Sequence, residues 1–222
     1  MAFKDEREYC YEILLDCFSK QSFSNLALKD KRVTDFVRAA VYGTLTYLES
    51  IDFLIKLASS KSVADMDTRT ATIIRFGAWQ ILFSDKIPDY AAVSSSVELA
   101  KKHSKSSAGF INHVLRSLSE LSDEKRDINN YKPEVATSLK SEIFGVFKKH
   151  YGKDRALSIG KAFLNTPKLS IRVNTMKSKK EDLKKLLLSD GIVTSDANFI
   201  PDALIVDSIG EVSLDRCQAF NA

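Results

Sequence analysis

Residues 66–85, MDTRTATIIRFGAWQILFSD, place Ile73, Ile74, Phe76, Gly77, Trp79, Gln80, Ile81 and Phe83 in one helical stretch. A helix apolar on nearly every side cannot lie on a surface. It has to be the centre of a bundle, covered all round by other helices. Gly77 inside it costs about 1 kcal/mol relative to alanine, which predicts another helix crossing close to that point. Ile87-Pro88 closes the segment, because a residue before proline avoids the helical region.

The neighbouring segments carry the same 3.6-residue period. Cys10, Ile13, Leu14, Cys17 and Phe18 share one face. In VTDFVRAAVYGTLTYL (33–48), Val33, Phe36, Val37, Ala40, Val41, Leu45 and Leu48 form a broad stripe, with Thr34 as cap or first-turn residue. SIDFLIKLAS (50–59) reads as a short helix capped by Ser50, and YAAVSSSVELAKKH (90–103) as a helix with Ala91, Val93, Val97 and Ala100 inward. In SSAGFINHVLRSL (106–118), Phe110, Ile111, Val114, Leu115 and Leu118 form an apolar stripe, while Lys105, Gly109, Asn112 and Arg116 align on another face. The first 122 residues thus read as an all-helical domain of six or seven helices.

SDEKRDINNYKPE (122–134) is polar and reads as a linker. Two further helices follow, VATSLKSEIFGVFKKHYG (135–152), stopped by Gly152, and KDRALSIGKAFLN (153–165). The period then changes to two. In LSIRVNT (169–175), Leu169, Ile171 and Val173 alternate with Ser170, Arg172 and Asn174, as in a strand. SKKEDLKKLLLSDG (178–191) is a helix with Leu183, Leu186 and Leu187 inward, Ser178 and Glu181 in capping-box spacing and Gly191 as its stop. ALIVD (203–207) and GIVTSD (191–196) complete a small α+β unit. The expected class is mainly α: a helical bundle over 1–125, a linker and connecting helices over 126–165, and an α+β subdomain over 166–222. Two or three strands alone are marginal in water, and the chain is expected to be cut before the structure they lean on.

Charge is unevenly spread. Residues 1–131 carry 18 basic and 18 acidic side chains, residues 132–185 carry 14 and 5, and residues 186–222 carry 1 and 6. The middle surplus attracts phosphate more than the overall +4 suggests, although a solvated lysine-rich surface reads the same. Cys10 and Cys17 lie seven apart on an apolar face as inert thiols, Cys217 stands alone, and His103, His113 and His150 are scattered. No metal is expected. No run of about 18 apolar residues exists, so no membrane span is expected. The start, MAFKDEREYCYEILL, lacks the order of a signal peptide, and a cytoplasmic protein is expected.

Three stretches together carry a resemblance. AVYGTLTYLESIDFLI (40–55) and GAWQILFSDKIPDYAAVSSSVELAKKHSKSSAGFINHVLRSL (77–118) resemble NusB-like RNA-binding domains fused to methyltransferases. LSIRVNTMKSKKEDLKKLLLSDGI (169–192) looks like the Arg-x-Asn segment that opens the methyltransferase module of the Sun/Fmu type. The resemblance implies a NusB-like bundle followed by the start of that module, in an enzyme that methylates C5 of a cytosine in 16S ribosomal RNA using S-adenosylmethionine. The family's Gly-rich loop and its Pro-Cys and Thr-Cys settings are absent from the 222 residues. No catalytic residue and no cofactor are therefore expected in this chain, which by itself should not methylate; the catalytic domain is expected in cis.

The RNA-facing candidates follow from charge and from the resemblance. Lys4 and Arg7 share a side of the first helix with Tyr11, and Lys31 and Arg32 precede the next. Lys101 and Lys105, with Lys102, lie just upstream of Asn112 and Arg116. An asparagine within a helix is mildly unfavourable, so Asn112 either bonds to the loop around Asp89–Tyr90 or serves a ligand. Arg116 either pairs with Glu98 or Asp123 or meets a phosphate. Arg172 and Asn174 point out of the strand, with Lys177 and Lys179 after them, and contact RNA or anchor the unit to the catalytic domain. Two other functions fit less of the sequence: a freestanding NusB-like antitermination factor, and a helical protein-interaction module.

Overall fold

The computed structural model describes residues 5–20, 22–29 and 33–209. The chain divides into two compact units, Met1–Leu164 and Asn165–Ala222. The first is built from α1 (Glu6–Lys20), α2 (Ser24–Ala27), α3 (Asp35–Thr46), α4 (Leu48–Ser59), α5 (Thr68–Phe83), α6 (Asp89–His103) and α7 (Ala108–Ser119). A second series follows within the same unit: α8 (Asp123–Arg126), α9 (Pro133–Thr137), α10 (Ser141–Tyr151) and α11 (Lys153–Phe163).

The all-apolar segment is α5, and it is the axis of the bundle. Ile73, Ile74, Phe76 and Ala78 are fully buried, with α1, α3, α4, α6 and α7 packed around them. Each large side chain so buried contributes about 1.5–3 kcal/mol. Asp67 starts the helix by accepting from the amides of Arg69 and Thr70 at 3.1 and 3.0 Å. Gly77 has the role its cost implied. A β-carbon there would lie 2.6 Å from Ser96 Oγ and 2.7 Å from Leu115 Cδ1, so α6 and α7 both close on it. Thr34 caps α3 by accepting from Val37 N at 3.3 Å. Cys10 is fully buried, and its desolvation pushes the thiol up to about 12.

Three local expectations are corrected. Ser50 is not a cap. It lies inside α4, fully buried, and its hydroxyl donates to Val135 O on α9 at 2.6 Å. The inward face of α6 is Ala92, Val93, Ser96, Leu99 and Ala100, rotated from the Ala91/Val97 reading because Gly77 leaves room for Ser96. The polar stretch 122–134 is not loose. The Arg126 guanidinium donates to Leu121 O at 3.1 Å, to Asp89 Oδ2 at 2.9 Å and to Ser119 O, and the Tyr131 ring packs at a tilt against Phe53 of α4, 4.7 Å between centres.

The second unit holds β1 (Ser170–Arg172), α12 (Lys180–Ser189), β2 (Ile192–Asp196) and β3 (Ala203–Ile209). The sheet is antiparallel in the order β1-β3-β2, with Ile171 opposite Leu204 and Ser195 opposite Ile205. α12 closes one face, its Leu187 packing with Val173, Ile192, Leu204 and Val206. Asp196 is held by Lys180 at 2.6 Å and Lys184 at 2.9 Å, which tie β2 to α12 and lower the carboxyl's pKa. Gly152 and Gly191 end their helices at φ 78° and 79°, where a side chain would be strained. The capping box at Ser178 does not form; its hydroxyl donates to Lys179 O instead.

Candidate nucleic-acid interface

Packing α6 against α7 leaves a groove of about 680 Å³. Asp89, Tyr90, Val93, Val97, Glu98 and Lys101 line it from α6, and Asn112, Arg116, Ser119 and Glu120 from the α7 side. The helical spacing of the sequence candidates is thereby converted into proximity: Lys101, Asn112 and Arg116 meet in one concavity. Neither Asn112 nor Arg116 has a side-chain hydrogen bond or ion pair among the described residues. Two of the partners foreseen for them are taken. Glu98 pairs with Lys101 at 2.7 Å, and Asp89 with Arg126 at 2.9 Å. With those two carboxylates neutralised, Arg116 and Glu120 remain, and the groove is close to neutral. Its chemistry is hydrogen bonding by an amide and a guanidinium, beside the exposed Tyr90 ring.

The first helix distributes its candidates differently. Arg7 is half-buried; its Nε donates to Gln80 Oε1 at 3.4 Å, and its guanidinium lies 5.5 Å from the Phe36 ring centre. Tyr11 is corrected outright. It is 1 % exposed, against His103 at 4.6 Å between ring centres, and it is core rather than an RNA-facing ring. The α1 side that meets α6 carries an ionic cluster. Glu8 accepts from Lys102 at 3.1 Å and contacts His103 at 3.2 Å, and the Lys102 hydrogen bond is the main reason its carboxyl is held low. Lys105 is exposed in a single 3-10 turn between α6 and α7 and does not line the groove. Lys4, Lys31 and Arg32 lie outside the described residues.

In the second unit, Arg172 is exposed at the end of β1, opposite Ala203, while Val173 beside it is buried. Asn174 has a local use: its Oδ1 accepts from Met176 N at 3.2 Å, shaping the turn after β1. Lys177 and Lys179 are exposed around that turn, and Lys179 is the residue preceding α12. Among the described residues no group of His, Cys, Asp and Glu is placed to hold a metal, and no helix is long and apolar enough to cross a membrane.

What sequence reading missed lies beside what it found. Glu120 belongs to the groove, and nothing in its local sequence marks it; Tyr90 and Glu98, foreseen only as bonding partners, line it as well. Gln80, placed among apolar residues, is fully buried and receives Arg7, so it is the reason that guanidinium lies against the bundle.

Comparison with known proteins adds an independent line. The NusB family matches residues 4–120, and the family described as Methyltr_RsmF/B-like, ferredoxin-like domain matches residues 144–213. A probable ribosomal RNA small subunit methyltransferase B from Bacillus subtilis (strain 168) is 29% identical over 210 residues, covering 89% of this chain and 47% of that protein. Transcription antitermination protein NusB from Thermodesulfovibrio yellowstonii is 32% identical over 107 residues, covering 47% of this chain and 71% of that protein. The crystal structure of PH0851 superposes with a TM-score of 0.60 at 16% identity, over 99% of this chain and 52% of that one, which is a likeness of fold. The chain spans about half the length of the curated methyltransferase relatives it matches.

Proposed function

The chain belongs to the NusB family, and from that premise we propose that it is the RNA-recognition region of an S-adenosylmethionine-dependent enzyme that methylates cytosine C5 in 16S ribosomal RNA. The observation that carries this reading is the succession of two matched regions in one polypeptide, NusB over 4–120 and RsmF/B-like ferredoxin-like over 144–213. A freestanding antitermination factor accounts for the first region alone. A methyltransferase B accounts for both, in the order found.

On this reading the helical unit and the small α+β unit hold the RNA, and a catalytic domain in cis carries out the chemistry. Arg7, Lys101, Lys105, Asn112 and Arg116 contact it from the first unit, with Lys4, Lys31 and Arg32. Arg172, Asn174, Lys177 and Lys179 contact it from the second. S-adenosylmethionine supplies the methyl group. The described residues do not fit that cofactor: their sheet is antiparallel throughout, without the parallel strand, glycine-rich turn and helix that form a nucleotide crevice.

Anisotropy titration of the 222-residue chain with structured 16S-type RNA, across a range of salt, tests the proposal. Binding that weakens steeply with salt is the expected result. Absence of binding at low salt overturns it and favours a protein-interaction module. Calorimetric titration with S-adenosylmethionine is expected to release no heat; clear binding would mean that the cofactor site lies in this chain.

A further inference from the structure

The α6–α7 groove is nearly neutral, and the positive surplus of the chain lies elsewhere. Residues 140–163, which contain α10 and α11, carry Lys140, Lys148, Lys149, Lys153, Arg155 and Lys161 against only Glu142 and Asp154. All eight are exposed. Among the described residues none of the six cations forms an ion pair. Asp127, whose carboxyl is held low mainly by the Asn129 amide, also feels Lys161 at a distance.

The same hairpin exposes rings. Tyr151 is 55 % exposed and Phe163 56 %, and both lean on Phe147, at 6.4 and 5.8 Å between ring centres. His150 lies 6.4 Å from Tyr151. The other side of the hairpin is spent on packing. Ala156 and Gly160 are buried in α11, and a β-carbon at Gly160 would meet Thr137 of α9 at 2.6 Å. The hairpin is therefore anchored through α11; its rings run along the seam between the two helices, with Tyr151 at the turn, and its cations are exposed on both sides of Gly152.

We propose that the turn end of this hairpin is a binding surface for unpaired RNA, with Tyr151 stacking on a base and Lys149, Lys153 and Arg155 following the backbone phosphates. The inference deepens the functional reading above and rests on it. Uncompensated cations select a polyanion, and a solvent-facing ring beside them selects one whose bases are free to stack. Duplex RNA offers phosphates but no open base face, and an acidic protein segment offers no use for the ring.

The test uses the full chain and two labelled probes, an oligouridine of about 12 nucleotides and an RNA duplex of about 16 base pairs. Removing three phosphate contacts in K149A/K153A/R155A is expected to weaken oligouridine binding on the order of 100-fold near ~0.1 M salt and to reduce the salt slope by about 2. Tyr151→Ala is expected to weaken the oligouridine about 10-fold and leave the duplex unchanged, while Tyr151→Phe restores binding. K56A/K86A/K125A, with three exposed lysines outside the hairpin, is expected to behave as wild type. The proposal is overturned if that control loses as much affinity as the hairpin triple, or if the hairpin variants bind oligouridine normally. In the second case RNA binding by the wild-type chain still upholds the broader reading; a wild-type chain that binds neither probe sinks both.

Discussion

Arg75 and Asp52 form a two-pronged ion pair, Nε to Oδ1 at 2.8 Å and Nη2 to Oδ2 at 2.6 Å, that joins α5 to α4. The guanidinium also lies 4.6 Å from the ring centre of Phe18 on α1. One side chain of the central helix thus fixes two of the helices that surround it. Parallel charge-assisted bonds in a partly screened site are worth more than a surface pair. Asp52→Ala is expected to lower stability by about 1–2 kcal/mol in denaturant unfolding; a change near zero would mean that the pair is ornamental.

Gly77 and Gly109 make a contrast within one bundle. A methyl group at Gly77 meets Ser96 and Leu115 below 3 Å, whereas nothing lies within 4 Å at Gly109. Gly77→Ala is expected to destabilise by about 1–3 kcal/mol through overpacking. Gly109→Ala, in the exposed side of α7, is expected to stabilise by about 0.5–1 kcal/mol. Thermal melts of the two variants should move in opposite directions from wild type.

Glu8 links folding to pH. Its hydrogen bond from Lys102 holds the folded carboxyl below the ordinary value of 4.5, so the unfolded chain takes the proton first. The stabilisation is complete above that ordinary value and is lost as pH falls through the lowered one. The stability gap between wild type and Glu8→Gln should therefore narrow as the solution is acidified from neutrality. A gap that stays constant in urea titrations at several pH values would contradict the linkage.

In the α6–α7 groove, Arg116 is the cation without an ion-pair partner among the described residues, whereas Lys101 already faces Glu98. Arg116→Ala is expected to weaken binding of structured RNA about 5-fold at ~0.1 M salt and to lower the salt slope by just under one. Lys101→Ala is expected to do less, because Glu98 already engages the Lys101 ammonium and keeps it from meeting a phosphate. Equal effects would show that the ion pair does not shield Lys101.

The central helix was legible because apolarity on every side admits one location. The strands were legible by their period of two. What failed were choices between residues of similar size and polarity. Ser96 turned inward, although Val97 is the more apolar, because a glycine on the facing helix makes space that no window around Ser96 reveals. Ser50 looked like a cap because its partner, the carbonyl of Val135, is 85 residues away. The candidate site divides the same way. Lys101, Asn112 and Arg116 were found through helical spacing, but their near-neutral surroundings depend on Arg126, which reaches Asp89 from what read as a linker. The surplus over 132–185 was visible as a count; that part of it gathers at the turn of a hairpin seated on α9 through Gly160 and Thr137 was not.

The bond from Ser50 to Val135 also bears on where the helical half of this molecule can be divided. The NusB family match stops at residue 120, yet a chain trimmed there would leave a buried hydroxyl without its acceptor in the first turn of α4 and uncover Phe53, whose ring Tyr131 now shields. Ancestry and mechanics draw the border in different places: the part inherited as one piece is smaller than the part that packs as one.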